Sequence, residues 1–360
     1  MIIKTPEKYI SEPEIIKTSG NYIYEYSQKP LIVGSKTALA VVWEDLKKSL
    51  EDNHIDTRNL EVFEGYPSEH QIQKYKKIAE DIQADGFLAI GGGRVLDTVK
   101  AAADLANLPV VTIPTVAATC AAWAGLTIQY DDEGSFVKVR PLKNSPKLIL
   151  ADTKVLLSAP KRYLFSGVVD TFAKFYEIRP SLAYAKDSIH LKIALYASQI
   201  ALELLENDVF VALDEAAKGI FTGHAKNVVD SIIYLAGFAG SFQTDTGHYS
   251  FAHPFYHIST RFPNTRHKLH GEKVAYGILS QLFLEKKSQD EIKKVIHMFE
   301  KYDNAFVLSD IGLDRGNKDE LQSLAKEIKE EFPYVIWEEE EIIKAFTITD
   351  KLVSESKNAK

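Results

Sequence analysis

FLAIGGGRVLDTVKAA, from Phe87 to Ala102, decides the fold. Four apolar residues run into three glycines, after which apolar residues recur at the three-and-four spacing of a helix. A strand that turns through residues without side chains into a helix start gathers backbone N–H groups and the positive end of the helix dipole at one point, where a pyrophosphate can sit. Gly91, Gly92 and Gly93 are therefore candidate cofactor residues. The competing reading is a tight structural turn, and the run is not the GxGxxG fingerprint of ordinary Rossmann dehydrogenases.

Upstream lie LIVG (Leu31–Gly34), a helical stretch from about Thr37 to Glu51, NLEVFEG (Asn59–Gly65) and a polar helix through Gln71 to Ala84. Downstream the helix continues to about Asn107 and is followed by PVVTIPT (Pro109–Thr115). Short β-branched runs alternating with helices predict a parallel, doubly wound sheet with right-handed crossovers. Beyond about Ser158 the pattern is helical throughout, as in DSIHLKIALYASQIALELLEND from Asp187 and DELQSLAKEIKEEF from Asp319. APKRYLFSGVVD (Ala159–Asp170) reads as the junction, with Pro160 suited to a helix's first turn. The expected organisation is an α/β dinucleotide-binding domain over residues 1–157 and an all-helical domain over 158–360. The polar tail SESKNAK is expected to fray.

The composition agrees with two globular domains: 360 residues, 45% hydrophobic and 26% charged. A net charge of −7 offers no broad positive field, so no nucleic-acid partner is expected. The single cysteine, Cys120, excludes an intramolecular disulfide, and the opening residues lack the basic start and apolar core of a secretory signal. A cytoplasmic location is expected. The most apolar stretch, Pro109 to Ile128, contains two prolines and reads as buried strand and loop, so no membrane segment is expected.

The first strand ends VGSK (Val33–Lys36), without the acid that commonly holds ribose hydroxyls in such folds. Lys36 would instead attract a 2′-phosphate, so NADP(H) should be accepted at least as well as NAD(H). The bland reading of Lys36 is a solvated residue at a helix start. Four of the ten histidines, His253, His257, His267 and His270, cluster in AHPFYHISTRFPNTRHKLHGEKVAYG. Imidazoles with a nearby carboxylate suit zinc or ferrous iron. Helical spacing pairs His253 with His257 and His267 with His270, and does not choose among the four.

Taken in order, GGGRVLDTVKAA, PTVAATCAAWAGLTIQYDDEG, GVVDTFAKFYE, AHPFYH and LHGEKVAYG resemble the glycerol dehydrogenase group of the iron-containing (group III) alcohol dehydrogenase family. The resemblance runs from about Leu31 to Leu279. It implies the dehydroquinate synthase-like fold, with a nucleotide-binding α/β domain, a helical metal-binding and substrate domain, and a divalent metal in the cleft between them. It implies metal ligands at Asp170, His253 and His270, while Lys174 occupies the position where some relatives carry a fourth, histidine ligand. Zinc is the foremost candidate, with iron or manganese as alternatives. For NAD(P)H it points to Gly91, Gly92, Gly93, Arg94 and Asp97 around the pyrophosphate, then to Thr115, Thr119, Leu126 and Tyr130, the last two having core packing as their alternative role. A homo-oligomer and a small-molecule substrate are also expected.

Cys120 departs from the pattern, since glycerol dehydrogenases generally have an aspartate there, facing the polyol. Losing that acceptor and its charge lessens repulsion of an anion. ATCAAW and DTFAKFYE are similar to the hydroxycarboxylate dehydrogenase branch. The favoured expectation is therefore NAD(P)-linked hydride transfer on a 2-hydroxy acid or 2-oxo acid, with glycerol or another vicinal diol as the alternative. Cys120 and Trp123 are expected to shape substrate choice. A nucleophilic role for Cys120 is disfavoured, because a thiol in an apolar run without an adjacent histidine has a raised pKa. Val169 replaces a usual glycine and the second histidine of HPFYH falls one residue late, which leaves His257 a secondary candidate for proton exchange. Phe251, Phe255 and Tyr256 are read first as core residues. Two rivals share the fold: a phosphate-eliminating cyclase and a catalytically silent nucleotide or metal binder.

Overall fold

The structure is a computed structural model that describes residues 3–242 and 250–358. Strand β1 (Lys8–Glu12) and the short helix α1 (Gly20–Ile23) precede the alternation seen in the sequence. That alternation is β2 (Pro30–Ser35), α2 (Lys36–Asp52), β3 (Leu60–Phe63), α3 (Glu69–Asp81), β4 (Gly86–Gly91), α4 (Gly93–Ala106) and β5 (Val110–Pro114). A hairpin of β6 (Leu126–Tyr130) and β7 (Phe136–Pro141) follows, then β8 (Leu148–Asp152) and α5 (Thr153–Ser158). Every later element is helical: α6 (Lys161–Tyr184), α7 (Ile189–Ala216), α8 (Gly223–Asp230), a π-helical turn at Ser231–Leu235, α9 (Ala236–Ser241), α10 (Ala252–Ser259), α11 (His270–Leu284), α12 (Gln289–Glu300), α13 (Lys318–Glu331) and α14 (Glu339–Asn358). The expected fold class, a parallel α/β sheet followed by a helical region, is what the chain forms. Of the tail SESKNAK, the residues SESKN complete α14 and the last two lie outside the described residues.

The main sheet has six parallel strands in the order β1-β8-β5-β4-β2-β3. Strands β4, β5 and β8 are buried at every residue, as a sheet covered on both faces requires. Ile32, Leu88, Ile90, Val111, Ile113, Leu148 and Leu150 pack with Val42, Leu46 and Leu50 of α2 in one cluster. From β2 the chain goes to β3 at one edge, whereas from β4 it goes to β5 on the other side. The topological switch therefore lies between β2 and β4, the place where open α/β sheets bind ligands beyond their strand ends. Helices α2 and α3 are each capped by a serine, Ser35 accepting from the Ala38 N–H and Ser68 from the Gln71 N–H, both at 3.3 Å. Helix α4 instead starts behind Gly92, which makes no side-chain cap.

By its contacts the chain forms two units, Met1–Leu164 with Ile200–Ser241 and Phe165–Gln199 with Phe242–Lys360. Helix α7 runs through both. The second unit is centred on aromatic side chains: Phe255 has its ring 5.3 Å from that of Tyr276 and 5.5 Å from that of Phe346, and Phe251 lies 6.1 Å from Phe346. Phe251 and Phe255 are fully buried. Among the described residues no helix is long and apolar enough to cross a membrane.

Candidate metal and nucleotide sites

Three helices of the second unit bring Asp170, His253 and His270 together. Asp170 faces inward from α6, His253 stands in the first turn of α10, and His270 is the first residue of α11. Oδ1 of Asp170 lies 2.8 Å from Nε2 of His270 and 3.4 Å from Nε2 of His253. One donor atom from each residue lies within 4.8 Å of the others, and among the described residues this is the one such group. An ion bound tetrahedrally at zinc-like bond lengths holds its donors roughly 3.3 Å apart, so the set fits a divalent metal in both spacing and chemistry.

Two glycines of α11 make this convergence possible. A Cβ on Gly271 would lie 2.0 Å from the Ser166 carbonyl oxygen of α6, and one on Gly277 would lie 2.7 Å from Cα of Ala252 in α10. The Gly271 N–H also donates to Oγ of Ser166 at 2.9 Å. At the start of α11, the Leu269 N–H donates to the Glu272 carboxylate at 2.8 Å, which fixes where the helix begins.

Glu177, seven residues beyond Asp170 on α6, orients His253. It accepts from the His253 backbone N–H at 3.0 Å and bonds Nδ1 through its other oxygen, which leaves Nε2 toward Asp170. Burial opposes the charge on Asp170, yet the His270 charge and hydrogen bonds from both imidazoles hold its carboxyl well below the usual carboxylate range. Burial likewise opposes the charge on His253, but the Glu177 carboxylate and the bonds to Asp170 and Glu177 raise its pKa to about 9. Burial pushes His270 down in spite of Asp170. Lys174, one helical turn beyond Asp170, adds a positive charge that is felt by Asp170, Glu177 and all three of His253, His257 and His270.

The remaining histidines of the cluster are placed differently. His257 is buried one turn beyond His253, with ring centroids 6.3 Å apart, and stacks on Phe332 at 5.9 Å. Burial and the surrounding positive charges push its pKa far down. It is not a member of the three-residue group. His267 precedes α11, so the expectation that it shares a helical face with His270 does not hold, because the helix starts at His270 itself.

In the first unit, β4 ends at Gly91 with φ 152°, and a Cβ there would lie 2.9 Å from Cγ2 of Val95. The Thr115 N–H donates to the Gly91 carbonyl at 3.2 Å, which ties the end of β5 to the glycine turn. The hydroxyl of Thr119 lies 3.7 Å from where a Cβ on Gly93 would be. Lys36 is exposed at the first residue of α2, after the strand that pairs with β4. Arg94 is also exposed, its guanidinium 4.2 Å from the centroid of the Tyr66 ring, and that ring lies 6.2 Å from that of Tyr130. Gly91, Gly92, Gly93, Thr115, Thr119 and Arg94 thus gather around the start of α4.

Asp97 points into the protein, ion-paired through one oxygen with Nζ of Lys100 at 3.0 Å and accepting through the other from the Ile128 N–H at 3.1 Å. Leu126 is half-buried and uses its carbonyl to accept from Lys100 at 2.9 Å. Cys120 is half-buried and takes part in no disulfide. Trp123 is buried against Gly237 and the rings of Tyr9 and Tyr234, with its indole N–H donating to Oγ of Ser241 at 3.2 Å. Sequence reasoning missed Glu177, Lys100 and Tyr66. For Glu177 the available signal was its helical spacing from Asp170.

Residues 6–153 match the model of the iron-containing alcohol dehydrogenase family. Glycerol dehydrogenase from Escherichia coli O6:H1 is 33% identical over 301 residues, covering 82% of this chain and 80% of the relative. Hydroxycarboxylate dehydrogenase A from Escherichia coli K12 is 31% identical over 266 residues, 73% of this chain and 72% of the relative. The crystal structure of glycerol dehydrogenase from Schizosaccharomyces pombe shares the fold with a TM-score of 0.88, covering 99% of this chain and 92% of that one at 24% identity. The chain belongs to the iron-containing alcohol dehydrogenase family and is an alcohol-type oxidoreductase with a nicotinamide cofactor and a metal.

Proposed function

We propose that this chain is a metal-dependent, NAD(P)-linked dehydrogenase that interconverts a small vicinal diol, of which glycerol is the type, with the corresponding hydroxyketone. The observation that carries it is the convergence of Asp170, His253 and His270 in the second unit. The sequence favoured a 2-hydroxy acid, but the glycerol dehydrogenase relative is the more identical of the two, over a larger share of the chain. The diol reading therefore takes precedence. The hydroxy-acid reading stays second, favoured by the positive charge of Lys174 beside the three-residue group and by a thiol rather than a carboxylate at Cys120.

In this reading Asp170, His253 and His270 hold the ion, with zinc the first candidate and iron or manganese the alternatives. When bound, the ion supplies Lewis acidity toward a substrate oxygen and the nicotinamide supplies the redox partner. Glu177 keeps the His253 ring turned so that Nε2 faces Asp170. Burial and the surrounding positive charges keep His257 neutral, so it resists protonation and adds no cation beside the ion. The start of α4 receives the nucleotide's phosphates on N–H groups that no side chain caps, and Arg94 and Lys36 add positive charge beside them. Lys36 also suits a 2′-phosphate, which favours acceptance of NADP(H).

The test is the initial rate of NADH and NADPH oxidation with dihydroxyacetone, methylglyoxal, 2-oxobutanoate and 2-oxoglutarate, on protein loaded with zinc, manganese or ferrous iron. Turnover of dihydroxyacetone that disappears in Asp170→Ala supports the diol reading. Turnover restricted to the oxo acids moves the second reading to first place, and tight nucleotide binding without any turnover defeats both.

A further inference from the structure

Between β5 and β6 the chain runs for eleven residues, 115–125, without regular secondary structure. This segment holds Thr115, Thr119, Cys120 and Trp123 and leads into Leu126. Irregular backbone inside a protein must find hydrogen-bond partners other than a ladder or a helix. Here the side chains of two flanking elements supplement the segment's own bonds. Nζ of Lys100, fully buried on α4, donates to the carbonyls of Ala121 at 2.7 Å, Ala124 at 3.0 Å and Leu126 at 2.9 Å. Oγ1 of Thr112 on β5 donates to the carbonyl of Ala122 at 3.0 Å. The same ammonium lies 3.0 Å from Asp97, whose other oxygen accepts from the Ile128 N–H in β6.

We propose that Lys100 is a positioning residue for the nucleotide: it pins the loop after β5 to the helix whose N-terminus receives the phosphates. The reading rests on the proposal that this helix start is the nucleotide site. Lys100 sits two turns into α4 from Gly93, so one rigid helix carries the phosphate cradle at its end and the anchor of the facing loop in its middle. The ammonium also neutralises Asp97, an acid one turn into a helix whose start is to receive an anion. A lysine has the three donors that three carbonyls require, and no uncharged side chain of similar length offers them.

The experiment compares the wild type with Lys100→Met/Asp97→Asn, a pair that removes the buried charge without stranding its partner. Readouts on the metal-loaded full chain are the NADH dissociation constant by fluorescence, kcat and KM for each substrate, and the far-UV circular dichroism of the folded state. The expected result is a rise of tenfold or more in Kd and KM for NADH, with kcat at saturating NADH within about threefold of wild type. A destabilised protein with an intact site would show less active enzyme at an unchanged Kd, which would overturn the proposal. Should the double variant fail to fold, Thr112→Val frees only the Ala122 carbonyl, and a Kd raised severalfold is expected; an unchanged Kd in that variant is also a refutation. If the wild type binds neither NADH nor NADPH, the nucleotide reading itself fails and this inference fails with it, a result distinct from normal wild-type binding with an unaffected variant.

Discussion

The α-carbon of Gly271 faces the Ser166 carbonyl so closely that a methyl group there would sit 2.0 Å from the oxygen. No side-chain rearrangement relieves that clash, because both partners are backbone. His270 is the neighbour of Gly271, and Ser166 lies one turn before Asp170 on α6, so this contact sets the distance between two proposed ligands. Gly271→Ala is expected to push α11 away from α6, to lower metal affinity at least tenfold, and to cost about 1–3 kcal/mol of stability, the range for overpacking a buried contact. Metal titration and thermal unfolding of the variant measure both effects.

Asp170→Asn keeps the volume of the side chain but removes its charge from between two imidazoles. A ligand that binds only the folded state at a hundred times its dissociation constant stabilises by about 2.7 kcal/mol. Zinc is therefore expected to raise the wild-type melting temperature by several degrees and that of Asp170→Asn by much less, with activity falling at least a hundredfold. An equal zinc-dependent shift in the two proteins would move the ion site elsewhere.

The metal-free protein should also carry a pH signature. His253 is raised from 6.5 to about 9 in the folded state, so its contribution to stability is complete below pH 6.5 and disappears as the pH rises through 9. Asp170 and Glu177 are depressed, so their contributions are present above the ordinary carboxylate range and disappear on acidification. Stability of the chelated protein is expected to decline between pH 7 and 9. Zinc affinity should rise over the same interval as the ion displaces the His253 proton. Denaturant midpoints with and without chelator at pH 7, 8 and 9 check the sign.

Strands β2, β4 and β5 were legible because each is a continuous apolar run ending in turn residues, and α2 and α3 because they fill the helical stretches that alternate with those runs; the serine caps of both helices emerge only in the structure. Strands β1 and β8 were not read, since KYISE gains its meaning only from pairing with a strand 140 residues away, Lys8 against Leu148. The β6–β7 hairpin was not read either, although its strands pair locally, Leu126 against Pro141. Spacing alone left four histidines open, and it took the family resemblance to choose His253 and His270; the close approaches of Gly271 and Gly277 that select them physically are tertiary facts. Lys100 and Glu177 look like ordinary polar positions on amphipathic helices. Only the folded chain shows that each faces inward to groups distant in sequence, a loop in one case and His253 in the other.

Lys36 follows Ser35, and the Ser35 hydroxyl lies 3.6 Å from where a Cβ on Gly91 would be, so α2 begins beside the glycine turn. With the nucleotide placed as proposed, an exposed lysine there would attract a 2′-phosphate through charge that salt screens. Lys36→Glu is expected to raise KM for NADPH at least tenfold while changing that for NADH less than threefold, and the NADPH effect should shrink at high ionic strength. Equal effects on both nucleotides would detach Lys36 from the ribose.

Lys174 stands one helical turn from Asp170, and its charge reaches Asp170, Glu177, His253, His257 and His270 alike. A fixed cation beside a site for a divalent ion opposes binding of that ion, and a shift of about 1.4 kcal/mol corresponds to a factor of ten in affinity. Lys174→Met is therefore expected to bind zinc about tenfold more tightly in competition with a chelator. Lys174→His, which supplies a fourth imidazole in place of the ammonium, should tighten binding further and improve retention of ferrous iron. Unchanged affinity in both variants would mean that the lysine charge is compensated where it stands and does not act on the ion.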